Sequence, residues 1–195
     1  MVGGSLDYAL FRLINGLAGH SLFLDRLAQL LVNEYFLPTL MTLVLIALWF
    51  SGFTDVERER NQLAVLRAIT SLLLANALLK ACNLVYFRPR PFTYHEVNLL
   101  FYHPSDSSLP SNPATVGFTL AVAVWLHNRR AGALLLILAT LLAISRVYCG
   151  VHYPLDVITG AGLGSLTAYL VVRKTHFLDP LLGAIIGLAR RVCLA

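Results

Sequence analysis

The sequence predicts an all-α integral membrane bundle of about five spanning helices, with interfacial helices at both termini. Three observations carry that prediction. Of the 195 residues, 57% are hydrophobic and only 13% are charged, against roughly 45–50% and 25% in soluble domains. The apolar residues gather in runs that approach the ~20 residues a span needs. The charges fall mainly between those runs. A single domain over residues 1–195 fits the length, with a core at 35–173, an amphipathic stretch at 1–34 and a tail at 174–195.

From residue 5 to 32, Leu6, Leu10, Leu13 and Leu17, then Leu24, Leu27 and Leu31, recur at helical spacing. Asp7, Arg12, His20, Asp25 and Arg26 interrupt them, which predicts helices lying in the membrane interface. Residues 35–53 form the first expected span, with Trp49 as an interfacial anchor. Residues 55–61, DVERERN, read as a solvated loop. The second span, 63–87, carries Arg67 near one end and Lys80 well inside. Residues 88–112 form one long loop holding His95, Glu96, His103 and Asp106, and long loops in compact proteins tend to carry function. A third span over 113–126, a tight turn at 127–130 and a fourth span over 131–148 follow. The fifth, 154–172, contains Gly160, Gly162 and Gly164, which permit close helix approach. The tail is apolar over 177–188 but short, and it ends in Arg190 and Arg191, as an interfacial helix would.

The net charge of +5 does not indicate nucleic acid. The basic residues are nearly all arginine, spread over helix ends without a cluster, so anionic lipid and phosphate are the expected partners beside the bilayer itself. Arg58, Arg60, Arg129, Arg130, Arg173 and Lys174 share one side of the predicted topology, which the positive-inside rule makes cytoplasmic. Cys82, Cys149 and Cys193 make neither an even disulfide framework nor a metal spacing. Cys82 reads as a small core residue and Cys149 as a passive one. The first strong apolar run starts late and is long enough to span, unlike a cleavable signal.

Three short blocks converge on the opposite, outer side. The most informative is SRVYCGVHYPLD, residues 145–156, because ionisable groups at membrane depth are costly and by default functional. Pro154 is suited to start a helix, which places Asp156 in its first turn, where a carboxylate suits the helix dipole. Asp156 can then accept from one ring nitrogen of His152 and leave the other as a nucleophile. A snorkelling anchor would account for Arg146 alone, but not for His152 and Asp156 beside it. In RPRPF, Arg88 and Arg90 are either interfacial cations stiffened by prolines or bidentate phosphate ligands. In PSNP, Asn112 is a good N-cap and Pro113 a good first helical residue. Ser111 and the free amides there form an anion nest, or simply a capped helix start.

Together SRVYCGVHYPLD, RPRPF and PSNP resemble the signature blocks of the type 2 phosphatidic acid phosphatase superfamily. The resemblance implies a metal-free, cofactor-free enzyme working through a phosphohistidine. His152 would be the nucleophile, Asp156 its orienter, and Arg146 and Arg90 clamps on the phosphoryl oxygens, with Ser111, Asn112 and Arg88 assisting. The family's lysine falls at Asn83; Lys80, one turn deeper, could snorkel to the same site. The family's PSxH block ends here in Pro113, where a histidine would protonate the leaving oxygen. Positioned acid catalysis contributes about 10²–10⁴-fold, a severe loss for an alkoxide leaving group. It matters far less for a phosphate leaving group, whose second pKa is about 6. His103, His95 or Asp106 could supply the proton instead.

LVYFRPRPF, HPSDSSLPSN, the amphipathic start and the HNRR turn are similar to the bacitracin-resistance type of undecaprenyl-diphosphate phosphatase. That similarity implies hydrolysis of a phosphorylated polyprenyl lipid at the outer face of a bacterial inner membrane. Transfer of the phosphoryl group to a lipid acceptor, phosphomonoester hydrolysis, and a silent member that binds or moves phospholipid remain the alternatives.

Overall fold

The computed structural model describes residues 6–192, so Ser5 and Cys193 lie outside the described residues. Among the described residues nine α-helices follow one another: α1 Leu6–Asn15, α2 Leu22–Val32, α3 Phe36–Phe50, α4 Asp55–Val85, α5 Pro91–Tyr94, α6 Asn112–Trp125, α7 Arg129–Tyr148, α8 Pro154–Lys174 and α9 Asp179–Arg191. A 3₁₀ turn at His176–Leu178 precedes the last.

The expected spans are not all single long helices. Among the described residues, three helices, α4, α7 and α8, are long and apolar enough to cross a membrane, and α2 with α3 forms a fourth candidate bent by 55° at its break. The expected third span, α6, has only 14 residues, about 21 Å at 1.5 Å per residue against a hydrocarbon core of about 30 Å. The chain leading into it is non-helical, and Ser107, Ser108 and Ser111 there are buried. Such backbone is tolerated at depth only when protein satisfies it. Here the Ser108 amide donates to the Arg88 carbonyl (2.9 Å) and the Ser111 amide to the Asp156 carbonyl (2.9 Å).

Residues 55–61 are helical, not a loop. Thr54 caps α4 by accepting from the Glu57 amide at 3.2 Å, and the Glu57 carboxylate accepts from the Phe53 amide at 3.1 Å. Asp55 and Glu57 also complement the helix dipole in the first turn. The resulting 31 residues run about 46 Å, longer than the membrane core. Cys82 faces outward from this helix and is not a core residue.

α6 lies at the centre, packed against α3, α4, α7 and α8, and Ala121, Ala123 and Val124 on it are fully buried. α8 presses onto it through two glycines. A Cβ added at Gly160 would lie 2.5 Å from the Ser111 carbonyl oxygen, and one at Gly164 2.3 Å from that of Thr115. Gly162, on the other face, has open space around it.

The leucine stripe of α1 and α2 points away from the protein: Leu6, Leu10, Leu13, Leu17, Leu24 and Leu27 are exposed, while Phe11, Asn15, Ala18 and Ala28 are buried. This suits helices lying at a membrane surface. α9 buries Leu182 and Ile186 and is held by an Arg67–Asp179 ion pair at 2.6 Å. Arg67 also donates to the Val172 carbonyl at 3.0 Å, and Asn128 to Asn61 at 3.3 Å. The start of α4, the start of α7 and the end of α8 therefore meet at one end of the bundle, and the three sequence blocks meet at the other.

Candidate active site

The site forms where the segment after α4, the buried 107–111 segment and the turn between α7 and α8 come together. His152, in that turn, is 1% exposed. Its Nδ1 lies 2.9 Å from the Ser108 carbonyl oxygen, which can only accept, so the proton belongs on Nδ1. Nε2 then carries the lone pair, and it accepts from Arg90 Nη1 at 3.2 Å. Burial lowers the imidazole pKa below its usual range, with Arg90 and Arg146 adding to this and Asp156 opposing it. The ring is therefore neutral at physiological pH, as a nucleophile must be.

Asp156 orients this arrangement less directly than the sequence predicts. Its Oδ2 is 3.7 Å from Nδ1, beyond hydrogen-bond reach. Instead Oδ2 accepts from Ser108 Oγ at 2.5 Å and from the Tyr153 amide at 2.8 Å. The carboxylate thus caps α8 and fixes Ser108, whose carbonyl holds the histidine. Pro154 starts α8 and Asp156 sits in its first turn, as expected.

Arg88 has a different task from the one its motif suggests. Its guanidinium bridges two carboxylates, Asp156 Oδ1 at 2.5 Å and Asp7 Oδ2 at 2.6 Å, and lies 4.3 Å from the Tyr153 ring centroid. Asp7 also accepts from the Leu155 amide at 2.9 Å. With both carboxylates engaged, Arg88 braces α1 against the site. Arg90, 5% exposed, donates to the Val151 carbonyl (2.8 Å), the Asp106 carbonyl (3.2 Å) and the Asp106 carboxylate (2.8 Å). These contacts aim its remaining edge at His152.

Two buried polar atoms here lack a partner: Ser111 Oγ and Arg146 Nε. Buried polar groups are nearly always bonded, so both atoms can take a hydrogen-bonding partner from outside the chain. Ser111 itself is the N-cap residue of α6 and Asn112 its first helical residue, one position earlier than expected. Its hydroxyl makes no capping bond and stays available. Arg146, at the end of α7, is 4% exposed, with its guanidinium 5.0 Å from the Phe101 ring centroid. It closes one end of a cavity of about 310 Å³ lined also by Glu34, Met41, Leu72, Pro113 and Leu142.

The remaining expected residues lie elsewhere. Lys80 is exposed on α4, because the buried stripe through Ser71, Ala75 and Leu79 turns it outward. His95 stacks on Tyr8 at 3.9 Å, and His103 is exposed against the edge of Phe92 at 4.8 Å. Neither lines the Arg146 cavity. Cys149 is buried, and burial raises its thiol pKa to about 12, consistent with a passive residue. Ser108, Asp7 and Glu34 were not legible as site residues. Ser108 lies two positions before Pro110 in an ordinary polar run, and Asp7 and Glu34 are distant in sequence from every motif.

The PAP2 superfamily model matches residues 64–180, a stretch containing every element of the site except Asp7 and Glu34. The chain is 32% identical over 181 residues to undecaprenyl-diphosphatase BcrC of Bacillus subtilis, covering 93% of this chain and 90% of that one. It is 35% identical over 174 residues to the putative undecaprenyl-diphosphatase YbjG of Escherichia coli, covering 86% and 83%. Among solved structures, Aquifex aeolicus LpxE superposes with a TM-score of 0.66 at 29% identity, over 88% of this chain and 97% of that one. The PAP2-type phosphatidylglycerolphosphate phosphatase of Bacillus subtilis gives a TM-score of 0.54 at 26% identity, over 85% and 82%. Motifs, fold and relatives agree: this chain is a multi-pass membrane phosphatase belonging to the PAP2 superfamily.

Proposed function

We propose that the protein hydrolyses undecaprenyl diphosphate to the monophosphate through a phosphoryl group carried on Nε2 of His152. The observation that carries this reading is the buried, neutral imidazole with Nδ1 held on the Ser108 carbonyl, beside the unpartnered Ser111 Oγ and Arg146 Nε. The terminal phosphoryl group binds with its oxygens on Arg90, Arg146, Ser111 Oγ and the first-turn amides of α6, which a helix leaves without internal partners. Nε2 attacks phosphorus and the bridging P–O bond breaks. The lipid monophosphate leaves without needing a proton, since its second pKa is about 6. Water then releases phosphate from His152. The apolar wall of the Arg146 cavity, with Met41, Leu72 and Leu142, suits the first isoprene units. Substrate identity rests on the names of the relatives.

The site faces outward from a bacterial inner membrane in this reading. Arg58, Arg60, Arg129, Arg130, Arg173 and Lys174 lie on elements that meet at the opposite end, and positive charge favours the cytoplasm.

Phosphate release from undecaprenyl diphosphate, undecaprenyl phosphate and phosphatidic acid by purified protein tests the proposal. The diphosphate should lead by about 10²-fold, the share of a missing acid. His152→Ala should lose about 10³-fold or more, as removal of a nucleophile does. Near-native turnover in His152→Ala would overturn the mechanism.

A further inference from the structure

The reaction proposed above needs no acid in its first step, but its second step needs a base. Water attacking phosphohistidine must lose a proton, and Pro113 has no group to take it. In-line displacement brings leaving group and water in turn to the face of phosphorus remote from Nε2. Beside Arg146 and the first turn of α6, the space that opens is the 310 Å³ cavity. Of the residues lining it, Glu34 alone can take up a proton: the others are apolar, hydroxyl or amide side chains and Arg146.

The fold positions Glu34 with care. It occupies the break between α2 and α3, where Asn33 Oδ1 accepts from the Tyr35 amide at 2.9 Å and the Phe36 amide at 3.2 Å. That cap starts α3 in a new direction and leaves Glu34 at the bend. Tyr102 donates its phenolic proton to Glu34 Oε1. The neighbouring Phe101 ring, 4.4 Å from that of Tyr102, is the one that flanks Arg146. The loop thus ties Glu34 and Arg146 to opposite sides of one aromatic pair. Glu34 is also exposed, so a proton it accepts can pass to solvent.

We propose that Glu34, oriented by Tyr102, is the general base that activates water for hydrolysis of the phosphohistidine. A water proton moves to the Glu34 carboxylate as the water oxygen bonds phosphorus. The P–N bond breaks and its electron pair returns to Nε2, leaving His152 neutral with its Nδ1 proton still on the Ser108 carbonyl. Phosphate departs and Glu34 releases the proton to bulk water. This inference rests on the phosphohistidine reading.

Rapid-quench measurements with undecaprenyl diphosphate labelled in its terminal phosphate separate the two. In Glu34→Gln the transfer to His152 should keep a near-native rate, while turnover falls by about 10²–10⁴-fold, the share of a general base. Acid-labile, base-stable label should accumulate on His152, and added hydroxylamine should discharge it. Glu34→Asp should recover part of the turnover. Tyr102→Phe, which leaves the carboxylate in place, should show the same accumulation in weaker form and serves if Glu34→Gln does not fold. A rise in KM without accumulated label would overturn the proposal and make Glu34 a partner of Arg146 only. Native turnover in Glu34→Gln would overturn it as well. Turnover with no label on His152 in any variant would instead remove the phosphohistidine reading beneath it.

Discussion

Replacing Arg88 with methionine separates two roles that its sequence motif confounds. The guanidinium sits between Asp156, whose side chain is fully buried, and Asp7, whose side chain is 13% exposed. Methionine keeps the stem but leaves Asp156 with only Ser108 Oγ and the Tyr153 amide. Breaking one partner from a buried pair costs about 3–5 kcal/mol. In a chain of this size each kcal/mol lowers the melting temperature by about 2–4 °C, so Arg88→Met should melt about 6–20 °C lower. Asp7→Asn should act on the same bridge, and the double variant should fall short of additivity by about 0.5–3 kcal/mol. Thermal unfolding in detergent reads the melting shift, and vanadate inhibition reads phosphate binding. In Arg88→Met the vanadate Ki should stay unchanged even as kcat falls with the displaced Asp156. An unchanged melting temperature together with a Ki raised about tenfold, 1.4 kcal/mol of binding, would show that Arg88 grips the phosphoryl group after all.

Two further outcomes bear on the same site. Arg146→Lys should lose about 10²-fold or more in kcat/KM on the diphosphate, because an ammonium cannot supply the planar fork aimed at phosphoryl oxygens; a fully active lysine variant would reduce Arg146 to a membrane anchor. Pro113→His should raise phosphomonoester hydrolysis more than diphosphate hydrolysis, and should restore turnover to Glu34→Gln by placing an imidazole in the same cavity. A first-turn histidine costs the helix little, so absence of both effects would count against the cavity as the route of water and leaving group.

The parts of the site carried by local pattern were legible in the sequence. Pro154 at a helix start, Asp156 in its first turn and His152 just before them follow from neighbouring residues alone. Arg90 and Arg88 look alike in RPRPF, yet one faces the imidazole and the other bridges two carboxylates. That difference depends on Asp7, about eighty residues away, and no local pattern encodes it. Lys80 points outward because helical phase, not depth, decides which way a side chain points. The spans at 113–126 and 35–53 were read from apolar length alone. Hydropathy does not register that a short central helix can be preceded by buried serine-rich backbone, or that a break at Asn33 can bend a span in two.

The contact between α6 and α8 has a consequence for how substrate range can change. Gly160 and Gly164 bring the two backbones so close that no side chain fits between them, and the Ser111 amide is hydrogen-bonded across the seam to the Asp156 carbonyl. Ser111 and Asp156 therefore ride on a joint with almost no slack, and the distance between the proposed phosphate cradle and the proposed nucleophile is set by main chain. The facing wall of the cavity is different: it is made by side chains of α3 and by the bend before it, where volume can be traded methyl by methyl. A diverging or engineered descendant can thus exchange one lipid for another along α3 while the chemistry on the glycine joint stays as it is.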